Sequence, residues 1–395
     1  MLPESGERAR RAQLARIITG HVCLHASMTG SRMAAPLLAL NQGHGKAAVG
    51  LLVALFALTQ IFLSLPAGRY ADRHGLRRPV GLAVIASSVG VGLAAIWPTY
   101  PVLCLTALLC GGAVGAATIA VQRHVGRMAT STAERRQAFS WLAIAPAASN
   151  FLGPFASGLV IDLARYQAAF VLLACMPLVG WTLLRSAREL PEEPVASRGG
   201  AAWDLLLGPG MRRLLLMNWF MTASWDLHGF MVPVLGHERG LQASAIGSIL
   251  GGFALAAACV RIVMPLFAGR LQEWVLITGA TAAAGVLFLL YPLTSTALEM
   301  GICSAALGFV LSVVQPTVMS MLHQITPRER HGEALAVRLI MVNASSVGMP
   351  LLFGMAGFLT GVTGVFLTMG VILACGSRLG LGLRGLGDDQ DESGH

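Results

Sequence analysis

Charge is what this 395-residue chain has least of: 12% of its residues are charged, against about 25% in a typical soluble domain. With 55% hydrophobic residues and a mean hydropathy of +0.68, it lacks the polar surface that a water-soluble globule needs. Lysine is nearly missing, since 27 Arg stand beside the single Lys46. No Gly-x4-Gly-Lys-Ser/Thr loop occurs, which removes the phosphate cradle of a nucleotide hydrolase. Aromatic residues do not interleave with the basic ones, so the formal charge of +9 does not point to nucleic acid. The seven Cys fall inside apolar runs without the spacing of a metal site or a disulfide framework. No nucleophile stands with a base and an orienting group. The expectation is no metal, no cofactor and no enzymatic activity.

What is present is a series of apolar runs, each long enough to cross about 30 Å of hydrocarbon as helix. They fall near 16–39, 47–67, 78–97, 101–121, 137–161, 166–185, 212–235, 244–268, 273–292, 297–320, 333–357 and 361–380. The expected fold class is an all-α membrane protein of twelve transmembrane helices in two pseudo-symmetric six-helix bundles. Alternate loops differ in basic residues, 23 on one side against Lys46, Arg165 and Arg239 on the other. The positive-inside rule then puts both termini in the cytoplasm of a multi-pass inner (plasma) membrane protein. The Arg-rich start, without a small-residue cleavage site, is expected to be a retained tail. The domain reading is an N-tail over 1–15, bundles over 16–185 and 212–380, a cytoplasmic linker over 186–211 and an acidic tail over 381–395.

The halves read as a degenerate repeat. Pro36 and Gly50 match Pro233 and Gly247 at one offset, Ala67-Gly68-Arg69 matches Ala268-Gly269-Arg270, and Pro154 and Gly158 match Pro350 and Gly354. Ala133-Glu134-Arg135-Arg136 and Arg328-Glu329-Arg330-His331 precede the fifth and eleventh helices.

Between the second and third runs lies the charged turn Gly68-Arg69-Tyr70-Ala71-Asp72-Arg73-His74-Gly75-Leu76-Arg77-Arg78. This order resembles the loop between helices two and three of major facilitator superfamily transporters. The resemblance extends over essentially the whole chain. It implies a secondary transporter working by alternating access, with Gly68, Asp72, Arg73, Gly75, Arg77 and Arg78 controlling conformational change. Asp72 is placed to cap a helix or to pair with Arg77, Arg78 or another Arg of the same face; the alternative reading is that these Arg only anchor topology at anionic lipid. Ser149 to Gly158, containing Gly153 and Pro154, looks like the Gly-Pro motif of family antiporters with two Gly replaced by Ser, which favours export. The chain departs from the proton-coupled drug exporters of the family in having Ala107 where an Arg stands in helix four and no acid in helix one.

Asp226 is the one acidic residue near the middle of an apolar run, where an ionisable group is costly and hence a functional candidate. Asn218, Thr222, Trp225 and Gly229 share one face of helix seven, with Asp226 at its edge and His228 off it. Helix one carries the stripe His21, His25, Met28 and Arg32. Arg32 and Asp226 are expected to approach one another or a shared ligand, as a coupling pair or as a structural ion pair. His21 and His25 read equally as proton relay or as packing. Gln60 and Arg261 occupy matched positions, and Arg261 reads either as an anion attractor or as a snorkelling side chain. Asn150 and Asn343 complete the candidate cavity. The partners expected are a small-molecule substrate, the lipid bilayer and protons as coupling ion, with the chain acting as a monomer. The leading reading is a proton-coupled exporter of a small amphipathic drug or metabolite. Its rivals are an importer of an organic anion and a non-transporting membrane receptor or scaffold.

Overall fold

The computed structural model describes residues 4–128, 132–187, 189, 208–263, 272–326 and 331–384. They form α1 Glu4–Asn41, α2 Lys46–His74, α3 Arg77–Ile96, α4 Tyr100–Met128, α5 Thr132–Leu142, α6 Ile144–Leu163, α7 Tyr166–Leu184, α8 Pro209–Glu238, α9 Ala243–Val263, α10 Glu273–Leu290, α11 Ala297–Ile325 and α12 His331–Leu381. A 3-10 turn, Tyr291–Leu293, closes α10.

Nine segments among the described residues are long and apolar enough to cross a membrane. The other crossings are α1 and α8, whose basic residues and histidines dilute their apolar stretches, and a second one within the 45-residue segment Val337–Leu381. Large apolar side chains point outward, as lipid requires and water forbids: Phe62 is 71% and Leu163 77% exposed.

Local signals explain the element ends. α1 and α8 each stop at a glycine in the left-handed region, Gly43 (φ 84°) and Gly240 (φ 69°). Behind each, the next amide reaches back to close the helix, His44 N–H to Ala39 C=O and Leu241 N–H to Gly236 C=O, both at 2.9–3.0 Å. This pair extends the internal repeat. α11 opens on a capping box, in which Thr296 Oγ1 accepts from Glu299 N–H and Glu299 Oε2 accepts from Thr296 N–H, both at 3.2 Å.

Three sequence expectations need correction. The charged turn after the second run is mostly helix, since α2 continues through Asp72 and Arg73 to His74 and the chain turns only at Gly75 (φ 69°). The fifth run is broken at Ala143 into α5 and α6, because Pro146 has no N–H to offer the Leu142 carbonyl. The eleventh and twelfth runs follow one another without a loop, parted by Gly361 (φ 74°) inside α12. The second-half Ala268-Gly269-Arg270, Arg328 to Arg330, most of the linker and the acidic tail lie outside the described residues.

The chain forms two compact units. Unit 1 comprises residues 1–44, 51–196 and 236–251. In it α1 packs on α6 and α7, and α3 on α4 and α7. Its α1–α6 seam is close because Gly153 faces Ala26, Thr29 and Gly30 of α1, and Thr29 Oγ1 donates to Ser149 C=O at 2.7 Å. Gly158 faces Ala243 and Ser244, and Gly247 faces Pro154, so the start of α9 lies against α6. Met33, Leu37, Ala243 and Ile246 form the buried cluster there. Unit 2 comprises residues 45–50, 197–235 and 252–395. In it α10 packs on α12 and α11, and the start of α2 meets α12 where Gly50 faces Pro350 and Gly354.

Candidate functional site

In unit 1 the α1 stripe meets α2 and α4. His21 is buried, its ring centroid lies 6.0 Å from that of His25, and its Nε2 is 3.5 Å from Thr118 Oγ1 of α4. Two turns along, Gln60 Nε2 of α2 donates to Phe56 C=O at 3.2 Å and to Met28 Sδ at 3.7 Å. Gln60 reaches this position because Gly115 of α4 leaves room beneath it. The structure thus brings His21, His25, Met28, Gln60 and Thr118 together; sequence reasoning missed Thr118, which stands in an apolar run with no charge or motif to mark it. Arg32 is half-buried further along the same helix.

Of the α6 motif, Gly153 and Pro154 are buried and turn to different neighbours, as described above, while Asn150 is half-buried. The two Ser that replace Gly are buried as well. Ser149 Oγ donates to Ala145 C=O at 2.6 Å and reaches Val22 C=O of α1 at 3.2 Å, and Ser157 Oγ donates to Pro154 C=O at 3.1 Å. These hydroxyls satisfy themselves on helix carbonyls and cost the seam no unpaired polar group.

The charged turn resolves into two separate groups of bonds within its own unit. Asp72 Oδ1 pairs with Arg123 Nε of α4 at 2.5 Å. The same guanidinium donates from Nη1 to Ala71 C=O at 3.1 Å and from Nη2 to Asp72 C=O at 3.3 Å, so one cation serves the carboxylate and the carbonyl end of α2 together. Of the partners considered for Asp72, the observed one is the Arg elsewhere on this face. Arg77 turns the other way, donating from Nε and Nη2 to Ala187 C=O at 3.2 and 2.8 Å, while its N–H donates to Glu189 Oε1 at 3.1 Å. Arg73 and Arg78 are exposed, and Gly68 is a helical residue near Ile119.

In unit 2 the helix-seven stripe is α8. Asp226 is buried, and Ser345 Oγ of α12 donates to its Oδ2 at 3.3 Å. Two turns earlier on both helices, Arg338 Nε of α12 donates to Asn218 Oδ1 at 3.1 Å. The rungs advance together because α8 and this part of α12 run parallel. Sequence reasoning missed Arg338 and Ser345: the former reads as one more basic residue at a helix end. Thr222 Oγ1 donates to its own helix at Asn218 C=O, 2.9 Å, and Trp225 stands edge-on to Phe253, centroids 4.6 Å apart. Asn343 is half-buried on α12.

His228 shares Phe253 with Trp225 and turns otherwise to α11 and the end of α10. Its Nε2 is 2.9 Å from Ser304 Oγ, its ring stacks on Phe253 at 4.0 Å, and Ser304 is shared with Tyr291 OH at 2.7 Å. This is a satisfied packing cluster between α8, α9, α11 and the end of α10. Arg261 is exposed near the end of α9 and donates from Nη2 to Gln315 Oε1 of α11 at 3.1 Å. Among the described residues no group of three or more His, Cys, Asp or Glu stands ready to hold a metal.

Comparison with known proteins finds the family described as Major Facilitator Superfamily matching residues 17–213 and again 214–392. Multidrug resistance protein 1 of Bacillus subtilis (strain 168) is 25% identical over 324 residues, 78% of this chain and 80% of that protein. Tetracycline resistance protein, class D, of Salmonella ordonez is 26% identical over 314 residues, 77% of this chain and 78% of that one. Among solved structures, a bacterial homolog of the human lysosomal transporter Spinster superposes with a TM-score of 0.75 at 13% identity, covering 94% of this chain and 96% of that one. A POT family transporter in complex with 5-aminolevulinic acid gives 0.76 at 14% identity, covering 93% and 95%. At such identities the structures speak for the fold alone.

Proposed function

Because the chain belongs to the Major Facilitator Superfamily, and is therefore a multi-pass membrane transporter of small molecules rather than an enzyme, we propose that it exports a small amphipathic drug or metabolite in exchange for protons. The observation that carries the coupling is Asp226, a carboxyl group buried in the middle of an apolar helix and held by the Ser345 hydroxyl. A carboxylate so placed costs several kcal/mol unless it takes a proton or a partner, which makes its ionisation a natural second state for a transport cycle. The direction draws on two relatives named for multidrug and tetracycline resistance and on the antiporter-like stretch Ser149 to Gly158 of α6.

On this reading the protein works as a monomer in the plasma membrane by alternating access, with both termini cytoplasmic as the basic loops suggest. Substrate contacts come from His25, Arg32, Gln60 and Asn150 in unit 1, and from Asn218, Thr222, Trp225, Arg261, Arg338 and Asn343 in unit 2. Asp72, Arg123 and the seam at Gly153 and Pro154 govern the conformational change.

The test is Asp226→Asn in proteoliposomes carrying an imposed pH gradient. Uphill transport driven by the gradient should vanish, while membrane insertion, substrate binding and counterflow persist. An Asn variant that still concentrates substrate as the wild type does removes Asp226 from coupling. A second reading, import of an organic anion, draws on Arg338 and Arg261, and counterflow of anions with net uptake would replace the first.

A further inference from the structure

On α1 in unit 1, His21, His25 and Met28 follow one another at spacings of four and three residues, which puts two imidazoles and a thioether on one face of the helix. Of the three, only His25 is among the proposed substrate contacts. His21 is 3% exposed, and the Nδ1 atoms of both rings are closed off from water without a hydrogen-bond partner. A buried polar atom left in that condition costs about 1–3 kcal/mol, so two of them side by side ask for a ligand.

The neighbours fix the form of the first ring. Thr118 of α4 has one hydroxyl proton, and it goes to Val114 C=O at 2.8 Å. Toward His21 Nε2, 3.5 Å away, Thr118 Oγ1 can then only accept. The proton of the neutral His21 ring therefore sits on Nε2, and its Nδ1 is a bare lone pair. The spacing of the rings says what such a lone pair could share with His25. A proton held between one nitrogen of each ring keeps those nitrogens about 3 Å apart, and a metal bonded to both at about 2.0–2.1 Å keeps them about 4 Å apart; adding the ring radii puts the ring centres about 5 or about 6 Å apart. The observed separation is 6.0 Å, that of a metal with its two bonds nearly in line.

The donors narrow the choice of ion. Among the described residues no acid or thiol joins the two imidazoles as a third ligand. The further donor is the Met28 thioether, which Gln60 Nε2 of α2 orients by donating to its Sδ at 3.7 Å, leaving the sulfur a second lone pair. Zinc asks for four tetrahedral donors and calcium or magnesium for oxygens, whereas neutral nitrogens in line with a thioether beside them suit a soft monovalent ion. His25, Gln60 and Thr118 each keep part of their surface open, which gives the ion a way in. We propose that His21, His25 and Met28 bind a soft monovalent cation, Cu(I) or Ag(I), with one nitrogen of each imidazole in line and the thioether at the side. The bound ion would clasp two turns of α1 together where they face α2 and α4.

The test titrates the purified full-length protein with Ag(I) in chloride-free detergent buffer, after N-ethylmaleimide has capped the accessible cysteines. The ion retained on desalting is measured by elemental mass spectrometry and its neighbours by X-ray absorption, with Zn(II) as the control. One Ag(I) per chain should be held with nitrogen in its nearest shell, and Zn(II) should wash out. His21→Ala and His25→Ala should each lose the ion, and Met28→Leu should bind it more weakly with sulfur gone from the shell. Thr118→Val keeps the shape of its side chain but removes the acceptor that sets the His21 tautomer, so affinity should fall about 10–100-fold, the usual worth of a ligand's own hydrogen bond. No retention, Zn(II) held as tightly as Ag(I), or a shell of sulfur alone overturns the proposal. Retention equal in the wild type and both His variants assigns the ion to cysteine and also overturns it. Where a His variant does not fold, Thr118→Val decides, since full affinity there overturns the proposal as well.

Discussion

The α1–α6 seam gives the sharpest physical test of the architecture, through two substitutions of identical chemistry at two helical glycines. A Cβ added at Gly153 would lie 2.7 Å from the Gly30 nitrogen, and nearer still to the Ala26 carbonyl and the Thr29 hydroxyl. Ordinary contact begins at 3.4 Å, and two of the three neighbours are backbone, the nearer being the Ala26 carbonyl, so the helices must part by about 1 Å. That displacement stretches the 2.7 Å bond from Thr29 Oγ1 to Ser149 C=O to about 3.7 Å, past the useful range for a hydroxyl donor. Overpacking of this kind costs about 1–3 kcal/mol and the weakened bond about 1 kcal/mol more, against a helix-propensity gain of about 1 kcal/mol for Gly→Ala. Gly153→Ala should therefore destabilise by about 1–3 kcal/mol. Gly229→Ala, on α8, meets no heavy atom within 4 Å and should stabilise by roughly 0.5–1 kcal/mol. Thermal unfolding of the two variants in the same detergent, followed by tryptophan fluorescence, measures the gap. Equal shifts, or a Gly153→Ala protein as stable as Gly229→Ala, would refute the close packing of α1 on α6.

Two further outcomes follow from single bonds. Asp162→Ala removes the carboxylate whose two oxygens accept from the Ala243 and Ser244 N–H groups at 3.0 and 2.7 Å, so the start of α9 should lose about 1–2 kcal/mol and exchange its first amides faster by hydrogen–deuterium mass spectrometry; unchanged exchange there would show the cap to be idle. Arg123→Gln should raise protease sensitivity at the end of α2 and slow transport while leaving Asp226-dependent coupling ratios intact, because it strips Asp72 and two α2 carbonyls of one shared cation; a rate equal to the wild type would remove the pair from gating.

Much of the architecture was legible because lipid imposes a single demand on every crossing, and an apolar run of fixed length answers it. The repeat was legible in its prolines and glycines, since close helix approach tolerates no substitute for them: the Gly50, Gly247, Pro154 and Pro350 matched by offset are the residues at the two α2–α12 and α6–α9 contacts. Run length alone was blind to breaks that leave a run apolar, as at Ala143 and Gly361, and to helix that continues through charge, as α2 does to His74. For the site, a helical wheel gives the angle of Asn218 and Asp226 about their own axis but not the neighbour at that angle. Ser345 and Arg338 became visible only once α12 was placed beside α8. The partners of His228, Ser304 and Tyr291, were equally out of reach of the wheel.

The same repeat shows where the halves have ceased to be equivalent. In the register that pairs Pro154 with Pro350, Asp162 corresponds to Phe358, which is 75% exposed and offers no acceptor. The helix opposite Asp162, α9, begins with two amides bound to its carboxylate, whereas the helix opposite Phe358, α2, begins with Lys46, a cation where the helix dipole favours an anion. Glycine packing is therefore shared by the two crossings, but the electrostatic cap belongs to one.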